Sequence, residues 1–253
     1  MNDPHVSALL YRFRSLEPMD RFGAAAPLGT GLDRFSVRLD GETLRAEPLD
    51  HHATGEEARA ALEPRLRDWE VAARLSVPTH AIRFDYLDAE VVDRSPTPGG
   101  TVVRPAAARL WIATADASVA VDNARFPEPD PDFRTNSLVE PILDRLVRSR
   151  RDPTRLAYDA YWVHVAVCRA FGGEAGAAKA LGVSANVLKQ LKQIANKHDP
   201  DISRKPAGPV APISPEERAW VLEVMRVLAD RAGRTHSPAP PPPLTLADLP
   251  PLP

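Results

Sequence analysis

The stretch from Thr154 to Lys197 constrains the fold more than any other part of this chain. Apolar residues lie on nearly every side of its first part, up to Phe171, and such a pattern is typical of a helix surrounded by protein. Two glycines then interrupt the pattern, and two shorter helical segments follow, joined by a turn at Leu181-Gly182-Val183. We therefore expect a helical domain built around one long buried helix.

Three prolines between Phe126 and Asp132 divide the chain. Closely spaced prolines remove N–H donors and fix φ, so this segment is neither a helix nor a central strand. We predict an α+β domain over residues 1–132 and a helical domain over residues 133–235. Residues 236–253 are dense in proline, a composition that favours polyproline II and disorder, so they are predicted to form a disordered tail.

Strand signals dominate the first half. Residues 35–45 alternate apolar and polar side chains around an Asp-Gly pair, which is typical of a β-hairpin. Thr54 and Glu57 have the spacing of a capping box and predict the start of one helix. Residues 80–92 and short segments within 101–121 add further strand candidates. The first half is therefore predicted to be an antiparallel sheet carrying one helix, and the whole chain an α+β protein whose second half is an all-α bundle.

Basic residues are concentrated in the middle of the chain, although the net charge is −2. Residues 145–205 carry 12 Lys and Arg against five Asp and Glu, and they include all five lysines. Residues 1–144 instead carry 16 Arg against 24 Asp and Glu. A basic block in an acidic protein is a candidate surface for nucleic acid or another anion. The alternative is the ordinary solvated face of a helical domain.

A motif runs through the second part of the opening stretch: Ala178-Lys179-Ala180-Leu181-Gly182-Val183-Ser184. It resembles the helix-turn-helix of bacterial DNA-binding proteins, and the resemblance covers residues 174–195 only. Ala178 is small where the two helices would cross, Gly182 can adopt the left-handed conformation of the turn, and Ser184 can cap the second helix. The predicted buried stripe of the second helix consists of Val187, Leu188, Leu191 and Ile194.

The resemblance implies that the second helix enters the major groove of DNA. Its outward side chains are the predicted nucleic-acid-binding residues: Asn186, Lys189, Gln190, Lys192, Gln193 and Lys197. Asn and Gln can form paired hydrogen bonds with adenine, and Lys can bind guanine or phosphate. Arg204 and Lys205, which follow the helix, suit phosphate contacts. The outer face of this helix contains no acidic residue.

Four acidic residues lie along one predicted strand: Asp85, Asp88, Glu90 and Asp93. Asp88 and Glu90 would share a face, as paired carboxylates do in metal or acid–base sites. Solvated residues beside a hydrophobic strand are the expected interpretation instead. No metal site and no cofactor is predicted.

Three residues in the second half are also weak candidates for chemistry. His164 and the single cysteine, Cys168, are expected to be packed residues of the long helix. Arg231 and His236 have the spacing of the Arg-x4-His signature of helical ribonuclease toxins. Gly233 between them and the proline-rich tail behind them argue against that resemblance.

These observations favour a non-enzymatic cytoplasmic protein that is nucleic-acid-binding or regulatory. Double-stranded DNA is the expected partner. The alternative is a protein-interaction or assembly protein whose helix-turn-helix serves packing only, and whose partner meets the acidic first half or the proline-rich tail. An enzyme using the Asp85–Asp93 carboxylates or His164 is the least favoured class. The chain has no apolar run of about 20 residues, the length that crosses a bilayer, and its N-terminus is a poor signal peptide, so no membrane partner is predicted.

Overall fold

The computed structural model describes residues 3–15, 28–76, 81–95, 126–198, 212–237 and 242–252. The strands are β1 (Pro4–Ser15), β2 (Leu28–Leu32), β3 (Phe35–Asp40), β4 (Thr43–Pro48) and β5 (Ile82–Asp93). The helices are α1 (Gly55–Ser76), α2 (Val139–Arg151), α3 (Leu156–Ala170), α4 (Glu174–Ala180), α5 (Ala185–His198) and α6 (Pro215–Gly233). Short 3₁₀ turns lie at Pro153–Arg155 and Leu246–Asp248. The predicted α+β class is confirmed.

The chain divides into two compact units. The first unit comprises Met1–Leu66 and Thr79–Glu128, and the second comprises Arg67–Pro78 and Pro129–Pro253. Helix α1 therefore contributes residues to both units. None of the helices in the described stretches combines the length and the apolar character that crossing a bilayer requires.

The first unit is an antiparallel sheet with strand order β2-β3-β4-β1-β5. The predicted hairpin is present as β3 and β4, with Asp40 paired to Thr43 across a turn in which Gly41 has a φ of 56°. Strand β1 lies between β4 and β5 and has 12 residues. Strand β2 pairs with β3, from Leu28 opposite Leu39 to Leu32 opposite Phe35. The strand candidates within 101–121 lie outside the described residues.

Alternation of apolar and polar side chains explains the core of the first unit. Phe35, Val37 and Leu39 on β3 are buried, and the residues between them are exposed. Helix α1 starts as predicted, because Thr54 Oγ1 accepts the N–H of Glu57 at 3.2 Å. Removing such apolar side chains from water contributes about 1.5–3 kcal/mol each for the larger ones.

The second unit is a helical bundle in which α2 packs on α6 and α3 packs on α5. Helix α3 buries one side, including Ala160, Val163 and Val167, in the core. Its other side is not covered as the sequence suggested: Tyr158 is 49% exposed and Val165 is 43% exposed. Helix α3 therefore carries more apolar side chains than it buries.

Local hydrogen bonds explain where the helices of the second unit begin. Ser214 and Glu217 form a capping box at the start of α6. Just before α2, Asn136 Oδ1 accepts the N–H groups of Leu138 at 2.9 Å and Val139 at 3.1 Å. Before α3, Asp152 caps the 3₁₀ turn Pro153–Arg155 by accepting the N–H of Thr154 at 3.1 Å.

The buried imidazole of His5 makes the first unit sensitive to acid. Its Nδ1 lies 3.2 Å from Nδ1 of His51, and the side chain is 4% exposed. Burial is the largest cause that lowers the pKa of His5. The nearby Arg94, His51 and His52 lower this pKa further, whereas Asp3 raises it. The folded state therefore favours neutral His5, and its contribution to stability is lost as the pH falls below about 6.5, the pKa of an unfolded histidine.

We expect the thermal unfolding midpoint of the wild-type protein to fall more between pH 7.5 and pH 5.5 than that of a His5→Gln variant. Differential scanning calorimetry at the two pH values measures this difference. His236, which is exposed and belongs to the second unit, provides the control variant His236→Gln. Equal pH sensitivity of the wild type and His5→Gln would contradict the assignment.

Candidate nucleic-acid interface

Helices α4 and α5 form the two arms of the predicted motif, and residues 181–184 form the turn between them. Gly182 has a φ of 59°, in the left-handed region that residues with a Cβ adopt only at a cost. Leu181 donates its N–H to the carbonyl of Ala177 at 2.9 Å, and Val183 donates to Ala178 at 3.0 Å. These bonds close the end of α4 and direct the chain into α5.

The inner side of the motif is buried in the core of the second unit. The residues of the predicted stripe are buried, together with the turn: Leu181, Val183, Val187, Leu188, Leu191 and Ile194. The small residue that is fully buried on α4 is Ala177, whereas Ala178, predicted for that role, is half-buried against the core. Only the outer side of α5 is left to a ligand.

The structure brings the predicted α5 residues to one outer face, which we call the α5 face: Asn186, Lys189, Gln190, Lys192, Gln193 and Lys197. Gln190 is half-buried, and the other five are exposed. Helix α5 contains no acidic residue, so the face presents amide groups and ammonium groups only. Arg204 and Lys205 lie outside the described residues.

The three lysines of the α5 face differ in their surroundings. Lys197 Nζ lies 3.0 Å from Oε1 of Glu217, on α6. Within the described part of the chain, neither Lys189 nor Lys192 forms an ion pair. The charges of Lys189 and Lys192 are therefore available to an anion, whereas the charge of Lys197 is partly neutralised.

Glu217 links the end of α5 to the start of α6. Its Oε2 lies 3.0 Å from Nε2 of His198, and the same oxygen accepts the N–H of Ser214 at 3.2 Å. Burial works in the opposite direction, but hydrogen bonds from Lys197 and from the Ser214 backbone lower the pKa of Glu217 below its usual value. Sequence reasoning missed the pairing of this carboxylate with Lys197, because the two residues lie 20 positions apart and in different helices.

The C-terminal segment packs on the turn of the motif. Leu244 donates its N–H to the carbonyl of Gly182, and its own carbonyl accepts the N–H of Ser184, both at 2.8 Å. Leu249 is 7% exposed and belongs to the core of the second unit. Residues 242–252 therefore differ from the disordered tail that the proline content suggested, because their leucines and carbonyl groups have partners in the bundle.

Arg231 holds the turn and the C-terminal segment together. Its guanidinium donates to the carbonyls of Gly182 at 3.1 Å and Pro242 at 2.8 Å. The side chain is buried, and burial lowers the pKa of Arg231. These contacts give Arg231 a structural role, and His236, its partner in the ribonuclease-like spacing, is exposed.

The other candidate residues do not converge on a reactive site. Asp85 pairs with Arg14 and Arg83, while Glu90 pairs with Arg45. Among the described residues, no group of three or more His, Cys, Asp or Glu side chains is suited to hold a metal ion.

His164 and Cys168 are packed residues of α3. His164 Nε2 lies 3.6 Å from the Cys168 sulfur and 3.6 Å from Oε2 of Glu174. Burial lowers the pKa of His164, against the opposing effect of Glu174. Burial and the nearby carboxylate raise the pKa of the Cys168 thiol, which disfavours the nucleophilic thiolate.

Against known proteins, the chain matches no family model, no curated protein and no solved structure.

Proposed function

We propose that this chain is a non-enzymatic cytoplasmic protein that binds double-stranded DNA through the α5 face. The observation that supports this best is an exposed helix surface without acidic residues, following a glycine turn, with Lys189 and Lys192 free of ion pairs among the described residues. The inner side of the same helix is buried in the core. A negatively charged partner therefore meets a surface whose shape the bundle fixes.

The residue types on this face suit both kinds of contact that DNA offers. Lys189 and Lys192 can bind phosphate oxygens, and these contacts supply most of the affinity for any sequence. Asn186 and Gln193 carry amides that can donate and accept together at an adenine edge. Helix α5 has 14 residues, a length of about 21 Å, and the major groove is about 12 Å wide and admits a helix.

Lys197 is expected to contribute less than the other two lysines. Its ammonium group is 3.0 Å from a carboxylate oxygen of Glu217. A phosphate that binds there would have to compete with that carboxylate. The principal phosphate contacts are therefore assigned to Lys189 and Lys192.

The alternative function is protein interaction or assembly, with the two helices acting only as packing elements. The contacts of the turn with Leu244 and Arg231 favour it, because part of the motif is then used inside the protein. This alternative predicts no affinity for duplex DNA at low salt.

The test is a titration of a fluorescently labelled random-sequence duplex with the intact chain. The proposal predicts binding at about 50 mM salt that weakens steeply by about 200 mM, because bound counterions are released from phosphates. Fluorescence anisotropy at several salt concentrations gives the slope of log K against log salt. An intact, folded chain that does not bind the duplex at low salt would rule out the proposal.

A further inference from the structure

A groove of about 790 Å³ lies in the second unit, apart from the α5 face. Its walls come from the residues that begin α3, the last residue of α5 and the residues that begin α6. Most of the lining is apolar, with Leu156, Ile213 and Leu222 supplying the largest side chains. Pockets that hold small molecules have volumes of about 300–1,000 Å³ and similar apolar linings.

One cation lines this groove without a carboxylate partner in the described residues. Arg218 is half-buried, and its Nη2 donates to the carbonyl of Arg150 at 3.3 Å. A guanidinium has five N–H donors, so most of its hydrogen-bonding capacity is unused by the described contacts. An anionic group that reaches Arg218 can accept two parallel hydrogen bonds in a partly desolvated site.

Two carboxylates near the groove, those of Glu217 and Asp152, are engaged in other hydrogen bonds. Glu217 accepts from Lys197 and from the backbone of Ser214. Asp152 accepts the N–H and the hydroxyl of Thr154. Arg150 and Arg151 end α2 close to Arg218, whose donor bond runs to the Arg150 carbonyl. Among the described residues, an anion that reaches Arg218 therefore meets a guanidinium that is not already paired with a carboxylate.

We infer that this groove binds a small amphipathic anion, with a carboxylate on an alkyl or aromatic body. The carboxylate pairs with Arg218, and the apolar body lies against Leu156, Ile213 and Leu222. His198 also lines the groove and is the last residue of α5, so a bound anion contacts the helix that carries the α5 face. Binding of this anion does not require DNA.

Binding of 8-anilinonaphthalene-1-sulfonate, a fluorescent amphipathic anion, to the intact chain tests the site, with N-phenyl-1-naphthylamine as its uncharged analogue. Ala219 is an exposed lining residue, so Ala219→Trp fills the groove and should abolish binding of both dyes. Arg218→Gln should weaken binding of the anionic dye by about ten-fold, because a charge-assisted hydrogen bond is lost. Its affinity for the uncharged dye should not change. Arg169→Gln, an exposed arginine on α3, is the control and should change neither.

Competition on the wild-type protein provides the same test without substitution. Decanoate should displace the bound anionic dye at concentrations at least about ten-fold lower than decanol does, because only decanoate can pair with Arg218. Equal displacement by decanoate and decanol, or dye binding that survives Ala219→Trp, would overturn the inference. Absence of dye binding to the intact chain would also overturn it, and would mean that the chain itself or a second copy covers the groove. Thermal melts of each variant show whether a loss of binding reflects unfolding.

Discussion

Replacing Asp159 by alanine is expected to lower the free energy of unfolding of the second unit by about 3–5 kcal/mol. The carboxylate is fully buried on α3, where it accepts from Arg145 Nη1 at 2.7 Å and from the Ser149 hydroxyl at 3.0 Å. Its removal leaves a largely buried guanidinium and a buried hydroxyl without their acceptor. Urea unfolding at pH 7, followed by tryptophan fluorescence, measures the loss.

Asp144 provides the matched control for this substitution. It is an exposed carboxylate on α2, and Asp144→Ala should change stability by no more than about 0.5 kcal/mol. The double variant Arg145→Met with Asp159→Leu should recover most of the stability lost in Asp159→Ala, because both charges are then removed together. A loss below about 1 kcal/mol in Asp159→Ala would show that water or another residue replaces the carboxylate.

Reversing two charges on the α5 face, with Lys189→Glu and Lys192→Glu, is expected to weaken duplex binding by about 100-fold or more at about 0.1 M salt. Two phosphate contacts are lost, and two like charges are placed against the DNA. The slope of log K against log salt should fall by about two. Both lysines are exposed, so the thermal midpoint should change little.

A variant with the same change in net charge separates a local contact from overall repulsion. Arg148 and Arg169 are exposed on α2 and α3, outside α5, and Arg148→Glu with Arg169→Glu alters the total charge equally. This control should retain most of the binding and most of the salt slope. If both double variants lose affinity to the same extent, the α5 face is not the binding surface.

Short-range patterns in the sequence predicted most of the secondary structure. These patterns include the Asp-Gly hairpin, the capping box at Thr54 and the stripe from Val187 to Ile194. Each depends on residues within a few positions of one another. Such patterns fix backbone conformation and the side of a helix that is buried, and the structure has them where they were predicted.

Contacts between distant residues were beyond these patterns. The proline content of the last residues suggested disorder, yet a proline still has a carbonyl oxygen, and that of Pro242 accepts from the buried Arg231. The partial neutralisation of Lys197 depends likewise on Glu217, on another helix. Composition and periodicity cannot show which remote group meets a given carbonyl or ammonium group.

The docking of the C-terminal segment on the turn can be followed by hydrogen exchange at one backbone amide, that of Ser184. Ser184 donates its N–H to the carbonyl of Leu244, so deuterium replaces that hydrogen only when the segment moves away or the turn opens. The prolines of the segment have no N–H group that could exchange. The N–H of Ser184 is therefore one of few amides whose exchange shows that the segment has left the turn. Because Ser184 immediately precedes α5, the exchange rate at this single residue also measures how often the turn before α5 loses its hydrogen bond to the segment.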